Sequence, residues 1–133
     1  MKINNFNQED FNQLMNEAVL SSKKISRRIL HTKNSDKMQC MLIAFAPNNY
    51  YDFIADNLEG NIIFSCIKGN MEIKYFDQNI NSIKKSSKLN AGDLLVLPRN
   101  YFRSTKVFQE GAIFLESIEG PYFKEKRIKL NYQ

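Results

Sequence analysis

The stretch GDLLVLPRNYFR, residues 92–103, holds a short apolar run between Gly92 and Pro98. A run of this length between two turn-forming residues is typical of a buried strand. Outward from it, NIIFSCI (61–67) and AIFLESI (112–118) repeat the pattern on either side. The middle and the end of the chain are therefore predicted to be built from short strands.

Turn signals divide this part of the chain further. Lys68-Gly69-Asn70 lies between two apolar runs and predicts a hairpin there, and residues 109–111, Gln-Glu-Gly, separate two other runs. The predicted strands are, in chain order, 38–46, 61–67, 71–76, 93–98, 104–108 and 112–118. Short strands at this spacing predict a mainly β fold, either a sandwich or a barrel.

The beginning of the chain has a different pattern. Residues 8–20 place apolar side chains three and four positions apart and carry acidic residues in the first turn, which predicts an amphipathic helix. Such a helix would pack against the outside of the barrel or cap one end. Residues 23–30 are predicted to form a second short helix or a turn. The domain organisation expected is an N-terminal helical segment (1–37), the barrel (38–122) and a C-terminal tail (123–133).

The composition limits the classes of protein to which the chain can belong. The chain has 133 residues, 43% of them hydrophobic, which is enough for one domain with a sizeable core. No apolar run approaches the roughly 20 residues of a membrane span, and the start lacks a signal peptide, so a cytoplasmic protein without a membrane partner is expected. Cys40 and Cys66 lie in apolar runs without a CxxC partner, which predicts reduced, buried thiols.

The net charge of +5 comes largely from three basic runs, at 23–28, 84–88 and 124–129. Such runs are most often a solvated surface, and no nucleic-acid-binding signature accompanies them. No nucleic-acid partner is therefore expected.

Residues 92–103 also have the G-x5-P spacing of the second cupin motif, and Gly69 matches the glycine that ends the first. The residues Ile-Leu-His at 29–31, the run 38–47 with Tyr50 after it, and IEGPY (118–122) resemble the WbuC-type cupin proteins. Those proteins are encoded among genes for bacterial surface-polysaccharide (O-antigen) synthesis. The resemblance covers residues 25–122 and implies a cupin barrel, a double-stranded β-helix of jelly-roll type, and by analogy a homodimer.

The resemblance fails at the metal ligands. Family members hold a divalent metal with two histidines and a glutamate from the first motif and a histidine from the second. Counting along this chain, those positions fall at Ile54, Asp56, Ile62 and Arg103. Alkyl groups have no lone pair, and an arginine is protonated and cannot donate one. The sequence therefore predicts no bound metal and no cofactor.

The same positions supply candidate ligand-binding residues. Arg103 is expected to point into the barrel mouth, where it is either a fixed cation for a ligand or an internal partner of Asp56 or Glu116. Asp56 is either a general base or that partner, or a solvated loop residue. Glu116 interrupts an apolar strand and would need a partner if buried, and its match to an acid of the WbuC-type proteins implies an inward position. His31 is either an acid–base group or a structural hydrogen-bonding residue. Tyr51 and Tyr101 are the remaining candidates, as aromatic stacking platforms or as packing.

The function predicted is a metal-free barrel that binds a small polar or anionic metabolite, with a sugar or nucleotide-sugar of surface-polysaccharide biosynthesis as the ligand that the resemblance implies. One alternative is a metal-independent sugar isomerase or epimerase that uses Asp56, His31 or a tyrosine as acid and base. Another is a non-catalytic structural or interaction subunit with a filled pocket. No catalytic residue is assigned at this level.

Overall fold

The computed structural model describes residues 4–79, 84–122 and 127–130. The remainder of the predicted tail, residues 123–126 and 131–133, lies outside the described residues. The elements in chain order are α1 (Gln8–Leu20), β1 (Ile25–Ile29), β2 (Met38–Phe45), β3 (Tyr50–Asp56), β4 (Asn61–Asp77), β5 (Lys85–Asn90), β6 (Leu94–Pro98), β7 (Tyr101–Glu119) and β8 (Arg127–Lys129). The mainly β fold predicted from the strand pattern is confirmed.

The first helix begins and ends where its apolar spacing predicts. Asn7 caps it, because its side chain accepts a hydrogen bond from the Asp10 backbone N–H while the Asp10 side chain accepts one from the Asn7 N–H. Leu14 and Ala18 are fully buried against the outer face of β2, where Leu42 belongs to the same apolar cluster. The helix therefore covers the outside of the sheet.

The prediction of a second helix or turn at residues 23–30 is wrong. Residues Ile25–Ile29 form β1, which pairs antiparallel with β2 from Ile25 opposite Phe45 to Ile29 opposite Met41. The edge of β2 offers a row of unpaired backbone groups, and satisfying them outweighs the weak local preference of this segment. The sheet consequently extends ahead of residue 38.

The predicted hairpin at Lys68-Gly69-Asn70 and the break at 109–111 are also wrong. β4 and β7 are long strands that pair with each other on both sides of these positions. Gly69 has φ +73°, and a Cβ there would overlap the Gly111 carbonyl oxygen. The two glycines let the strands bend closely past each other at a register shift, which is the property of a bulge rather than of a turn.

The strand order in the sheet is β1-β2-β7-β3-β8, with β4 pairing β5, β6 and β7. Because β7 pairs with β2, β3 and β4, it brings the inward side chains of all three around one interior. The most deeply buried side chains there include Phe64, Met71, Ile73, Val107 and Phe114. No helix in the described part of the chain is long and apolar enough to cross a membrane.

The two cysteines are free, as expected. Cys66 is buried, but Cys40 is only half-buried, so the prediction of burial holds for one of them. Burial raises the pKa of the Cys66 thiol, and the nearby Asp93 carboxylate raises it further.

Candidate functional site

A cavity of about 300 Å³, partly open to solvent, lies between β1, β2, β3 and the two halves of β7. Inward-facing positions of each strand alternate with outward ones, so β2 contributes Met41, Ile43 and Phe45, and β7 contributes Glu116 and Ile118. Side chains therefore do not fill this part of the barrel completely. The residues that line it are Arg27, Ile29, His31, Asn34, Gln39, Met41, Ile43, Phe45, Tyr51, Ile54, Asp56, Phe64, Arg99, Arg103, Thr105, Phe114, Glu116, Ile118, Tyr122 and Arg127.

One side of the cavity is a cluster of three arginines around one carboxylate. Asp56 is 3% exposed, and its Oδ2 lies 3.3 Å from Arg99 Nε and 3.9 Å from Arg103 Nη2. Its Oδ1 lies 3.3 Å from Arg127 Nε. The strands bring the group together, because Ile54 of β3 pairs with Arg103 of β7 and Asp56 pairs with Arg127 of β8. We refer to Asp56, Arg99, Arg103 and Arg127 as the arginine cluster.

The hydrogen bonding within the arginine cluster is incomplete. Arg99 Nε donates to Asp56, and Arg99 Nη1 donates to the Glu119 carbonyl oxygen. Arg103 Nη1 is buried without a hydrogen-bond partner, and Arg127 Nε has none either, since its approach to Asp56 lacks hydrogen-bond geometry. A buried charged donor left without a partner is costly, and native proteins rarely keep one without a reason.

Arg103 is the most confined cation of the cluster, with 5% of the residue exposed. Burial lowers the pKa of its guanidinium, because the charged form loses its hydration. The carboxylates of Glu116 and Asp56 act in the opposite direction, while Arg127 and Arg99 add to the lowering. Loss of hydration is therefore the main cause of the lowered pKa, and an added hydrogen-bonding anion would replace part of the hydration that Arg103 has lost.

The opposite side of the cavity is largely apolar, and its one carboxylate among the described residues is Glu116, which is in register with Met41 and Phe64. Phe45 and Phe114 meet edge to face with ring centroids 5.5 Å apart, and Phe64 lies 6.3 Å from Phe114. Met41 and Ile43 extend this surface along β2. The cavity thus has a cationic side, formed by β3, β8 and the start of β7, and an apolar side, formed by β2, β4 and the end of β7.

Five of the six sequence-predicted residues line this cavity, namely Arg103, Asp56, Glu116, Tyr51 and His31. Asp56 is not the solvated loop residue that one interpretation allowed. Glu116 does face inward, opposite Met41 and Phe64 in the pairing of the strands.

The remaining candidate, Tyr101, does not line the cavity: its ring lies 6.4 Å from Tyr75 and packs against the main core. His31 does line the cavity. A hydrogen bond of 3.0 Å from the Cys40 backbone N–H to His31 Nδ1 holds its ring in place.

The residues present do not fit the divalent metal that the cupin fold implies. At the four expected ligand positions, Ile54 and Ile62 have no donor atoms, Arg103 is cationic, and Asp56 is already held between three guanidiniums. Within residues 4–79, 84–122 and 127–130, no group of three or more His, Cys, Asp or Glu side chains is placed to hold a metal ion.

Sequence reasoning missed two members of the cluster. Arg99 follows Pro98 directly, and its position beside a motif residue was a signal that could have been used. Arg127 lies in a basic run interpreted as solvated surface, but its side chain is only 26% exposed. Nothing in the sequence indicated that β8 would pair with β3 and carry this arginine to Asp56.

Comparisons with known proteins identify the fold. No family model matches the chain, and no curated protein sequence matches it. Solved structures do match, among them oxalate decarboxylase from Lactobacillus farciminis as its formate complex (TM-score 0.66, 17% identity, 80% of this chain and 31% of that one). KdgF from Halomonas sp. matches with a TM-score of 0.58 at 14% identity, over 76% of this chain and 82% of that one.

Peruvianin-I, described as a cysteine peptidase from Thevetia peruviana latex, matches with a TM-score of 0.65 at 13% identity, over 82% of this chain and 68% of that one. The chain spans about a third or less of the oxalate decarboxylases that it matches. At these identities the likeness concerns the fold alone. Together with the strand topology and the G-x5-P stretch, it shows that the chain has the cupin fold.

Proposed function

We propose that this cupin barrel binds a small anionic metabolite in its cavity, with Arg103 as the principal cation and without a metal. The observation that carries the proposal is the state of Arg103, which lines the cavity, is 5% exposed and keeps Nη1 without a partner. An anion in the cavity would supply charge-assisted hydrogen bonds that the protein itself leaves unmade.

Charge supports the same conclusion. Four arginines line the cavity (Arg27, Arg99, Arg103 and Arg127), against the two carboxylates of Asp56 and Glu116. The resulting excess of positive charge, enclosed by apolar walls of low dielectric constant, attracts anions more strongly than the same charges would on an exposed surface.

The likeness to WbuC-type proteins adds a finer element to the proposal. It points to a cytoplasmic homodimer that acts in surface-polysaccharide biosynthesis on a sugar or nucleotide-sugar. A cavity of about 300 Å³ argues against the alternative of a structural subunit with a filled pocket.

The test is ligand-dependent thermal stability. Inorganic phosphate, glucose 1-phosphate and UDP-glucuronate are titrated against the wild-type protein, Arg103→Met and Arg103→Lys. A ligand at about 100 times its Kd adds about 2.7 kcal/mol, which raises Tm by several degrees for a domain of this size. We expect the rise to vanish in Arg103→Met and to shrink in Arg103→Lys, which keeps the charge but loses the forked donor.

Lys74→Met is the matched control, because Lys74 is an exposed cation of β4 that does not line the cavity, and its loss should leave the effect unchanged. An equal rise of Tm in wild type and Arg103→Met would mean that the anions act on the solvent or on other surface cations, and it would refute the proposed role of Arg103.

A metal-independent isomerase or epimerase is the second candidate, because Glu116 and His31 line the same cavity as the arginine cluster. Either group would have to remove a proton from a sugar carbon. Asp56 is poorly suited to this role, since both of its carboxylate oxygens already lie against guanidiniums. Incubation of a bound sugar phosphate in D2O tests the candidate: exchange of a carbon-bound proton that is lost in Glu116→Gln or His31→Gln would support it, and no exchange would exclude it for that sugar.

A further inference from the structure

Resting on the proposed anion-binding function, and in place of the sugar or nucleotide-sugar to which the likeness to WbuC-type proteins points, we infer that the ligand is a compact carboxylic acid with an apolar, preferably aromatic, body. The observation is the division of the cavity into two sides of opposite character. The arginine cluster forms one side, and Met41, Ile43 and the rings of Phe45, Phe64 and Phe114 form the other.

The cationic side suits a carboxylate. Two guanidinium nitrogens, Arg103 Nη1 and Arg127 Nε, lack hydrogen-bond partners, and both arginines line the cavity. A carboxylate has two oxygens in one plane and matches guanidinium donors more closely than a hydroxyl group does. The arginine cluster and Glu116 together hold three arginines and two carboxylates, a net charge of +1, which a single added carboxylate brings to zero.

The apolar side requires a matching body. Glu116 is the one carboxylate that this surface offers among the described residues, so most hydroxyl groups of a sugar bound over it would lie against alkyl and aromatic carbon and lose water without gaining partners. A ring or branched chain instead buries its own apolar surface there, and the edge-on arrangement of Phe45 and Phe114 resembles the packing of aromatic pairs.

The volume of the cavity limits the size of the ligand. A volume of about 300 Å³ lies at the lower end of the range of roughly 300–1,000 Å³ usual for small-molecule sites, which favours a compact ligand. A nucleotide-sugar is larger than such a ligand, and part of it would remain outside.

The experiment compares four probes by isothermal titration calorimetry with the wild-type protein: phenylacetate, acetate, 2-phenylethanol and UDP-glucose. Phenylacetate and acetate share the carboxylate, and phenylacetate and 2-phenylethanol share the ring. We expect phenylacetate to bind at least about tenfold more tightly than either partner, since one lacks the apolar contact and the other lacks the charge.

Two variants locate the contacts. Arg103→Met should weaken phenylacetate at least about tenfold and leave 2-phenylethanol unchanged. Met41→Gln, a change of similar size at a half-buried position, should weaken phenylacetate and leave acetate unchanged. Circular dichroism of both variants establishes that they fold, and the wild-type comparison of probes needs no variant.

The outcomes separate the two proposals. Equal affinity for phenylacetate and acetate, or tighter binding of UDP-glucose that depends on Arg103, would overturn the inferred ligand class and leave the anion-binding function standing. Equal affinity for phenylacetate and 2-phenylethanol, unchanged in Arg103→Met, would overturn both, because the carboxylate and its cation would then contribute nothing.

Discussion

Replacing Asp56 with asparagine is expected to destabilise the ligand-free protein by about 3–5 kcal/mol, the usual cost of breaking a buried ion pair from one side. The Asp56 side chain is 4% exposed and lies within 3.3–3.9 Å of three guanidiniums. The substitution removes the one carboxylate common to all three while leaving Arg99 and Arg103 at 5% and 6% side-chain exposure.

The magnitude follows from opposing contributions. At an effective dielectric constant of about 20, one attraction at these distances is about 4–5 kcal/mol. Desolvation of Asp56 cancels several kcal/mol of the total, and Arg99 retains its bond to the Glu119 carbonyl oxygen. The remaining loss is still a large part of the roughly 5–15 kcal/mol that stabilises a domain.

Urea unfolding measures the effect. For an m-value of about 2 kcal/mol/M, a loss of 3 kcal/mol moves the midpoint down by about 1.5 M. Asp52→Asn is the matched control, because Asp52 lies exposed on the same strand and should change stability by less than about 0.5 kcal/mol. The double variant Asp56→Asn/Arg103→Met should recover part of the loss, since one buried cation is removed together with its partner. A loss below about 1 kcal/mol in Asp56→Asn would refute the reasoning, because it would mean that water in the cavity already screens the cluster.

Three further outcomes are expected. The purified protein should contain no stoichiometric transition metal, and chelation should leave Tm unchanged. If elemental analysis finds about one metal per chain, and chelation removes it together with stability, the conclusion that these residues do not fit a metal is wrong. Gly69→Ala should lower the free energy of unfolding by more than about 2 kcal/mol, because the added Cβ overlaps the Gly111 carbonyl oxygen and the residue has a strained φ. Gly92→Ala, which has open space around it, should cost about 1 kcal/mol. Equal losses in thermal unfolding would contradict the close approach of the two strands. In Cys40→Ser, the remaining Cys66 thiol should react slowly with Ellman's reagent at pH 8, because its raised pKa leaves little thiolate and burial blocks access; reaction at the rate of a free thiol would show that the strand opens.

The elements with a clear periodic pattern were the ones that could be predicted. The helix at Gln8–Leu20 has its apolar spacing and its cap in the local sequence, so its bounds agree with the prediction. The segment Ile25–Ile29 has no such pattern, and only the free edge of β2 makes it a strand. Gly69 and Gly111 were interpreted as turn residues because a sequence shows only that a glycine is present, and not whether a long partner strand continues beside it.

The residues of the candidate site also differ in whether the sequence could predict them. Arg103, Asp56 and Glu116 could be found because each breaks an apolar or motif pattern at an inward position. Tyr101 was placed wrongly, since aromatic residues beside a turn pack into the core as readily as they line a mouth. Arg127 could not be found, because its role depends on β8 returning to pair with β3 far away in the chain.

The sequence by itself determined that this chain is a small, mainly β protein with an outer helix, that it resembles a cupin, and that three of the four usual metal-ligand positions hold residues without a donor atom for a metal. Those properties depend on residue type and on local periodicity, and the sequence alone contains both. Only the tertiary structure decided that three arginines converge on Asp56, that an apolar wall faces them, and that a cavity of about 300 Å³ separates the two. Convergence of this kind depends on the pairing of strands distant in sequence, and neither composition nor periodicity records it.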